Sequence, residues 1–335
     1  MQFLILLLSL LASSLFSFGN ITAQNAATAG YTSIPQATRD YYSKEILFLA
    51  QPRCKFLQFA KVRNDLQAIK GKSIVFNKYA NLAGGGSLAE DDPLKPQTIS
   101  ASEIQITVSE QANAIQLTEL LLRTSMYDVL GDASKLLSNN LAVVLDIQFR
   151  DAVLATTNVK YGNGVAGITS IDNTAVFNTK TIKDCVELLA TNNAPKFLNE
   201  QGDFYVCFAH PSALRQLRDD SAWISANTYM GRRQLYVGEA GMYEGVIFIE
   251  TTQMPKLTAA QINTKYGALP TATNVCESVV FGENAYAWAV ALPVEMRDDG
   301  IVDIGRKHTI AWYGIWGMGI IEGKNIVRVL SGTAN

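Results

Sequence analysis

The chain has 335 residues, of which 48% are hydrophobic and 17% charged, and its net charge is -2. That is enough chain to bury around three quarters of its unfolded surface, in about two domains. The balance excludes a disordered polymer and provides no bulk positive charge for generic nucleic-acid binding.

The amino terminus opens with an apolar run, Phe3 to Ala12, that has the look of a signal-peptide core, with small residues such as Ala23 and Ala26 beyond it. No Lys or Arg precedes the run, which argues against export, and the run is short for a membrane span. A hydrophobic arm docked on a neighbouring subunit and a start site placed too far upstream are the other readings. Asn20-Ile-Thr22 matches a glycosylation sequon, a tripeptide pattern close to chance. After a low-complexity stretch over 20–38, Arg39 to Gln51 predicts a helix with Tyr42, Ile46, Leu47 and Leu49 on its apolar side, ended by Pro52.

Two strands and a long helix are predicted next. Ser73 to Ala80 reads as a strand, and Ser100 to Leu117 as its partner, with Ile104, Ile106 and Val108 alternating with polar residues as one-sided burial requires. Between them, Asn81 to Pro93 is rich in glycine and acid, too polar for a core. From Glu119 the period changes. Leu122, Met126, Leu130, Ala133, Leu137, Leu141, Leu145, Phe149 and Ala152 fall on one stripe, predicting a helix to Thr156 of about 38 residues, or roughly 57 Å. Gly131, which costs about 1 kcal/mol relative to alanine, is its expected bend.

Charge is uneven across this region. Arg53, Lys55, Lys61, Arg63, Lys70 and Lys72 face only Asp65, whereas Glu90, Asp91, Asp92, Glu103 and Glu110 follow on the hairpin. The two groups are either separate solvated faces or a complementary pair that meets across a subunit boundary and fixes register. On the second reading the candidate assembly contacts are Arg63, Lys70, Lys72, Lys78, Gly84, Gly85, Gly86, Glu90, Asp91 and Asp92.

After a loop with its turn at Tyr161-Gly-Asn-Gly164, helix and strand alternate, implying an α/β layer. A helix is predicted over Thr181–Ala190, a strand over Phe204–Ala209, and a helix opened by Pro211 that carries Leu214 and Leu217. Strands follow at Val246–Glu250 and Ser278–Phe281, then an apolar run from Tyr286 to Leu292 that fits helix or strand. His308–Met318 and Asn325–Leu330 read as strands returning to the domain that holds the long helix.

Reactive groups are sparse. The four cysteines, Cys54, Cys185, Cys207 and Cys276, contain no C-x-x-C pair, so they signal neither zinc nor a disulfide framework and are expected to be buried thiols. His210 and His308 are the only histidines, and Cys207 and His210, at i and i+3 on a strand, point to opposite faces. Gly84-Gly-Gly-Ser-Leu-Ala89 fits G-x-G-x-x-A formally, but Glu90-Asp-Asp-Pro93 follows, which repels phosphate and opens no helix. P-loop, H-E-x-x-H, G-x-S-x-G and EF-hand patterns do not occur. The expectation is therefore a protein that is not an enzyme, with no catalytic, cofactor or metal residues.

Three segments carry a family resemblance: His210-Pro-Ser-Ala-Leu-Arg-Gln-Leu-Arg-Asp219, Tyr229-Met-Gly231, and Leu235-Tyr-Val-Gly-Glu-Ala-Gly-Met-Tyr-Glu-Gly-Val-Ile-Phe-Ile-Glu-Thr-Thr252. Over residues 38 to 332 their order, and that of the elements, resembles major capsid proteins of tailed bacteriophages with the Hong Kong ninety-seven fold, most nearly the coat proteins of N-four type podoviruses. The apolar residues 2–16 depart from that pattern. The resemblance implies an α+β fold divided into an N-terminal arm and helix (1–51), an E-loop hairpin region (52–118), a P domain with a long spine helix (119–177), an α/β A domain (178–292) and returning P-domain strands (293–335). It implies a subunit that assembles with itself into hexamers and pentamers of an icosahedral shell in the host cytoplasm. Portal, scaffolding or cement proteins are the implied partners, and the shell encloses double-stranded DNA without sequence-specific binding and without a membrane. An encapsulin-like compartment shell shares that fold and is the first alternative; a secreted or surface protein is the second.

Overall fold

Side-chain alternation builds the first elements of the computed structural model, which describes residues 54–68, 71–79, 82, 84, 96–125, 129–199, 202–230, 239–304 and 306–333. Strand β1 (Lys61–Arg63) and helix α1 (Asp65–Ala68) lead into β2 (Ser73–Tyr79). The expected partner strand is two strands, β3 (Ala101–Thr107) and β4 (Ser109–Thr118), divided at Val108. Strand β3 pairs antiparallel with β2, setting Ile74 opposite Ile106. At the division the Val108 N–H donates to the Lys72 carbonyl at 3.0 Å. The chain then joins a second sheet. The predicted helix at Arg39–Gln51, the apolar amino-terminal run and nearly all of the Asn81–Pro93 loop lie outside the described residues.

The long helix is also divided. Thr118 caps α2 (Glu119–Thr124) by accepting the Leu121 N–H at 3.3 Å, and Ser125 then turns extended, with ψ of 137°. Helix α3 (Val129–Leu154) follows with 26 residues. The break therefore falls at Ser125, whereas Gly131 sits in the first turn of α3, where a glycine weakens a helix least. Ala133, Leu137, Leu141, Leu145 and Phe149 are buried along α3 as the stripe predicts, and the stripe ends on Val153 in place of Ala152.

The remaining elements are β5 (Val159–Tyr161), α4 (Thr179–Thr191), β6 (Phe197–Asn199), β7 (Gly202–Ala209), α5 (Pro211–Arg218), α6 (Ser221–Met230), β8 (Glu239–Tyr243), β9 (Val246–Glu250), β10 (Lys256–Thr258), α7 (Ala259–Tyr266), β11 (Asn274–Phe281), β12 (Tyr286–Val302), β13 (Lys307–Ile320) and β14 (Ile326–Thr333). The ambiguous run at Tyr286 is the start of a 17-residue strand.

These strands form two larger sheets. One has four strands in the order β1-β12-β13-β4; the other has eight, with the path β5-β14-β11-β7-β9-β8 and with β6 and β10 on its margins. The two carboxy-terminal strands separate. Strand β13 does pack on α3, but β14 pairs with β11 along its whole length and with β5, inside the eight-stranded sheet. Of the two strands expected to return to the domain of the long helix, β13 packs on α3 and β14 lies in the other sheet. Val327 and Val329 on one face and Ile326 on the other are fully buried, a two-sided apolar strand that needs a sheet covered on both faces.

Cover comes from both sides. Tyr205, Cys207 and Ala209 pack with Ile182 and Leu189 of α4 and Leu214 and Leu217 of α5, while Phe204, Val206 and Phe208 face Phe56, Phe59 and the end of α3 at Phe149 and Val153. The first two thirds of α3, at Leu137, Leu141 and Leu145, pack on Ile310, Trp312 and Trp316 of the four-stranded sheet. One helix thus contributes to both cores.

A single carboxylate is enclosed at this junction. Asp146 of α3 is buried and accepts the N–H groups of Lys55 at 3.1 Å and Phe56 at 3.5 Å, fixing that segment against α3. Burial raises its pKa to about 6, against the opposing pull of those two N–H groups and the Lys55 ammonium.

Candidate assembly surface

The β2–β3 hairpin lies on β12 and β13. Ile74, Phe76 and Ile106 point inward to Ala287 and Ala289, while Val75 and Tyr79 alternate outward to solvent. Small residues allow the close approach. A Cβ added to Gly317 would overlap the carbonyl group of Thr107, and one on Gly319 would lie 3.0 Å from the Ile106 side chain. The opposite face of β13 presents Trp312 and Trp316, whose rings stack at 5.9 Å and whose indole N–H groups donate to Asn140 (3.2 Å) and Gln148 (2.7 Å) of α3. Glycine on one face and tryptophan on the other make β13 the plate between hairpin and helix.

The predicted contact residues divide by what surrounds them. Lys78 pairs with Glu322, just beyond β13, so it ties the hairpin to its own subunit. Arg63 pairs with Asp65 at 3.5 Å and lies over the Phe76 ring, 5.8 Å from its centroid. Lys72 is exposed at the hairpin base, and Gly84 has open space around it. Lys70, Gly85, Gly86, Glu90, Asp91 and Asp92 lie outside the described residues. Among the other cations of that stretch, the Lys55 ammonium donates to the Glu250 carbonyl at 2.6 Å and that of Lys61 to Asn284 at 2.8 Å.

Three features were not singled out from the sequence. Gly317 and Gly319 let β3 cross, Glu322 holds Lys78, and exposed aliphatic side chains mark further surface: Leu120 and Leu121 on α2, Leu136 and Val143 seven residues apart on the outer side of α3, and Ile304 at the β12–β13 turn. The alternation of glycines in Gly317-Met-Gly319 was the available signal for the first.

The polar residues considered for chemistry have local structural partners. His210 caps α5, its Nδ1 accepting the Ser212 N–H at 3.1 Å, and His308 lies 2.9 Å from Asp298 across the β12–β13 ribbon. All four cysteines are buried free thiols. Burial pushes Cys54 and Cys185 up to about 12 and raises Cys207 well above the ordinary thiol range, which removes thiolate character. Among the described residues no group of His, Cys, Asp and Glu is arranged to hold a metal ion, and no helix is long and apolar enough to cross a membrane.

Known structures share this arrangement. The capsid subunit of cyanophage Pam1 superimposes with a TM-score of 0.67 at 16% identity, over 95% of this chain and 99% of that one. That of Ralstonia phage GP4 gives 0.70 at 13% identity over 95% and 99%, and the head of Helicobacter pylori bacteriophage KHP40 gives 0.62 at 13% over 94% and 97%. No curated protein sequence matches the chain. The fold is thus a mixed α/β fold matching phage capsid structures. The chain belongs to the phage capsid protein family, whose model, described as phage capsid protein, matches residues 148–324, more than half of its length.

Proposed function

We propose that this chain is the major capsid protein of a tailed bacteriophage, with a fold of the Hong Kong ninety-seven type. Its function is to associate with itself into the hexamers and pentamers of an icosahedral shell around packaged double-stranded DNA. The observation that carries the reading is the extent of the likeness: the family model covers the centre of the chain, and the Pam1 and GP4 capsid subunits are matched over 99% of their length. The β2–β3 hairpin supports it, because two strands with an exposed outer face leave edge and apolar surface that one subunit does not cover. Near-neutral charge supports a container for DNA, since a strongly basic wall binds phosphate non-specifically and hinders movement of the genome.

Within this reading, residues 52–118 form the E-loop region, α3 is the spine of a P domain over 119–177 and 293–335, and 178–292 is the A domain, whose sheet β14 enters from the last P-domain segment. The subunit belongs with the N-four type podovirus coat proteins and assembles in the host cytoplasm with portal and scaffolding or cement proteins. Its role is structural, without catalysis. Purified protein examined by mass photometry and negative-stain microscopy should form capsomers or closed shells. A strictly monomeric mass at high concentration would refute the proposal.

A further inference from the structure

Strand β11 carries one charged residue, and it is fully buried. Glu277 lies on the same face of the sheet as Val275 and Val279, between a small core that holds Val275 and the larger one that holds Val279. A carboxylate there needs partners, and α7 supplies two. The Lys265 ammonium donates to both Glu277 oxygens, each at 2.9 Å, and the Tyr266 hydroxyl donates to one of them. Arg328 of β14 stands behind the phenol. It donates to the Tyr266 hydroxyl at 3.2 Å and to the Leu154 carbonyl at the end of α3 at 2.8 Å, with its guanidinium 4.9 Å from the ring centroid. Burial first, and then the bond to Glu277, raise the Tyr266 phenol above its ordinary range, so it remains a donor. Lys256 of β10 is paired with Cys276 and therefore faces the other side.

The segment that carries Lys265 and Tyr266 is anchored at both ends. Strand β10 pairs with the start of β11, and beyond α7 the N–H groups of Thr271 and Ala272 donate to the Ile171 carbonyl at 2.9 and 2.8 Å. Between these anchors α7 is held by Ile262 and Tyr266, which pack with Ile171, Val275 and Leu330, and by Glu277. A capping box at Thr258 and Gln261 starts the helix, and Gly267, with φ of 67°, ends it. Eight residues are too few for such a helix to persist in water once it leaves the sheet. The Lys265 side chain is 41% exposed, so its ammonium can turn to solvent, whereas Glu277, inside the sheet, cannot follow.

We propose that residues 256–267 form an acid-released strap: a proton from solvent, taken up by the Glu277 carboxylate, removes the charge that Lys265 and Arg328 share, and α7 lifts from the sheet. The two cations then repel across the phenol, and Ile171, Val275 and Leu330, all fully buried when the strap is closed, are uncovered. The strap is a property of the single subunit and operates whatever the chain assembles into.

Hydrogen exchange resolved by peptide tests it, with protection expressed relative to the unstructured chain at the same pH. Between about pH 7 and about pH 4, over which carboxylates begin to take up protons, peptides over 256–267 should lose protection about tenfold. That is the effect of losing one hydrogen bond to a charged group, and peptides over β7 and β9 should hold. Glu277→Gln keeps the shape and lacks the titration, so its strap should be loose already at neutral pH and show no further step in acid. Lys265→Met should also loosen the strap at neutral pH and shrink the acid step. Equal protection of the unsubstituted strap at both pH values, or an acid step that survives in Glu277→Gln, would overturn the proposal. If Glu277→Gln does not fold, Lys265→Met decides in its place, and an undiminished acid step there would overturn it.

Discussion

Gly317 of β13 passes beneath Thr107 of β3 so closely that the two backbones leave no room for a methyl group. The base of the hairpin is positioned by this crossing, with Ile106 packed over Gly319 in the next step along the strand. Gly317→Ala should therefore lower unfolding stability by about 1–3 kcal/mol, the usual effect of overpacking. Urea titration will read the loss, and hydrogen exchange should show faster exchange in β2 and β3 than in the eight-stranded sheet.

Lys78 and Glu322 form an ion pair whose side chains are 43% and 20% exposed, so its contribution to folding should stay under about 1 kcal/mol. Lys78→Glu should leave the urea midpoint nearly unchanged yet impair assembly, because it unties the outer end of β2 from Glu322 while the packed base stays in place. The exchanged pair, Lys78→Glu with Glu322→Lys, should restore assembly. Light scattering across the three proteins reads the result, and equal assembly of Lys78→Glu would show that the pair does not orient the hairpin.

Asp146 has a pKa raised by burial to about 6. A carboxyl raised in the folded state binds its proton more tightly there than in the unfolded chain. Its stabilising effect is full below about pH 4, the unfolded value, and is lost as pH rises through about 6. The Asp146→Asn protein lacks this titration. The difference in unfolding free energy between it and the unsubstituted chain should change by about 2–3 kcal/mol between pH 4 and 7, in favour of the variant at the higher pH. Parallel stability profiles would contradict this.

The acidic loop separates folding from assembly. Replacing residues 81–93 with a tight turn should leave the subunit folded, since the segment contains few residues able to enter a core, while shells fail or weaken. Asp91→Lys with Asp92→Lys should weaken assembly at low salt, with a smaller effect at high salt, because exposed charges are screened over about 10 Å at 0.1 M. Circular dichroism and electron microscopy together check both outcomes.

Local pattern made much of this fold legible. Alternation found β2 and β3, the Pro211 signal found the start of α5, and the heptad-like stripe found the buried side of α3. Pairing between distant strands was not legible. Nothing in Ile326–Thr333 distinguishes a strand of the eight-stranded sheet from one lying on α3, because its neighbours β11 and β5 are set by tertiary packing. Ser125 carries no breaker signal, and the apolar stripe reads through it. At the hairpin, Lys78 was legible as a charge, but its partner Glu322 lies 244 positions away along the sequence and only the fold brings them together. Gly317 and Gly319 were visible as glycines; what they make room for was not.

Because Leu141 and Phe149 stand two turns apart on one rigid rod and plug into different cores, neither sheet can melt while the other keeps its share of α3. Heating should accordingly give one calorimetric transition in place of two, with equal calorimetric and van't Hoff enthalpies. For a container wall this means that a blow to one part of the subunit is borne by all of it, and that a protease meets no half-unfolded state in which one sheet hangs open.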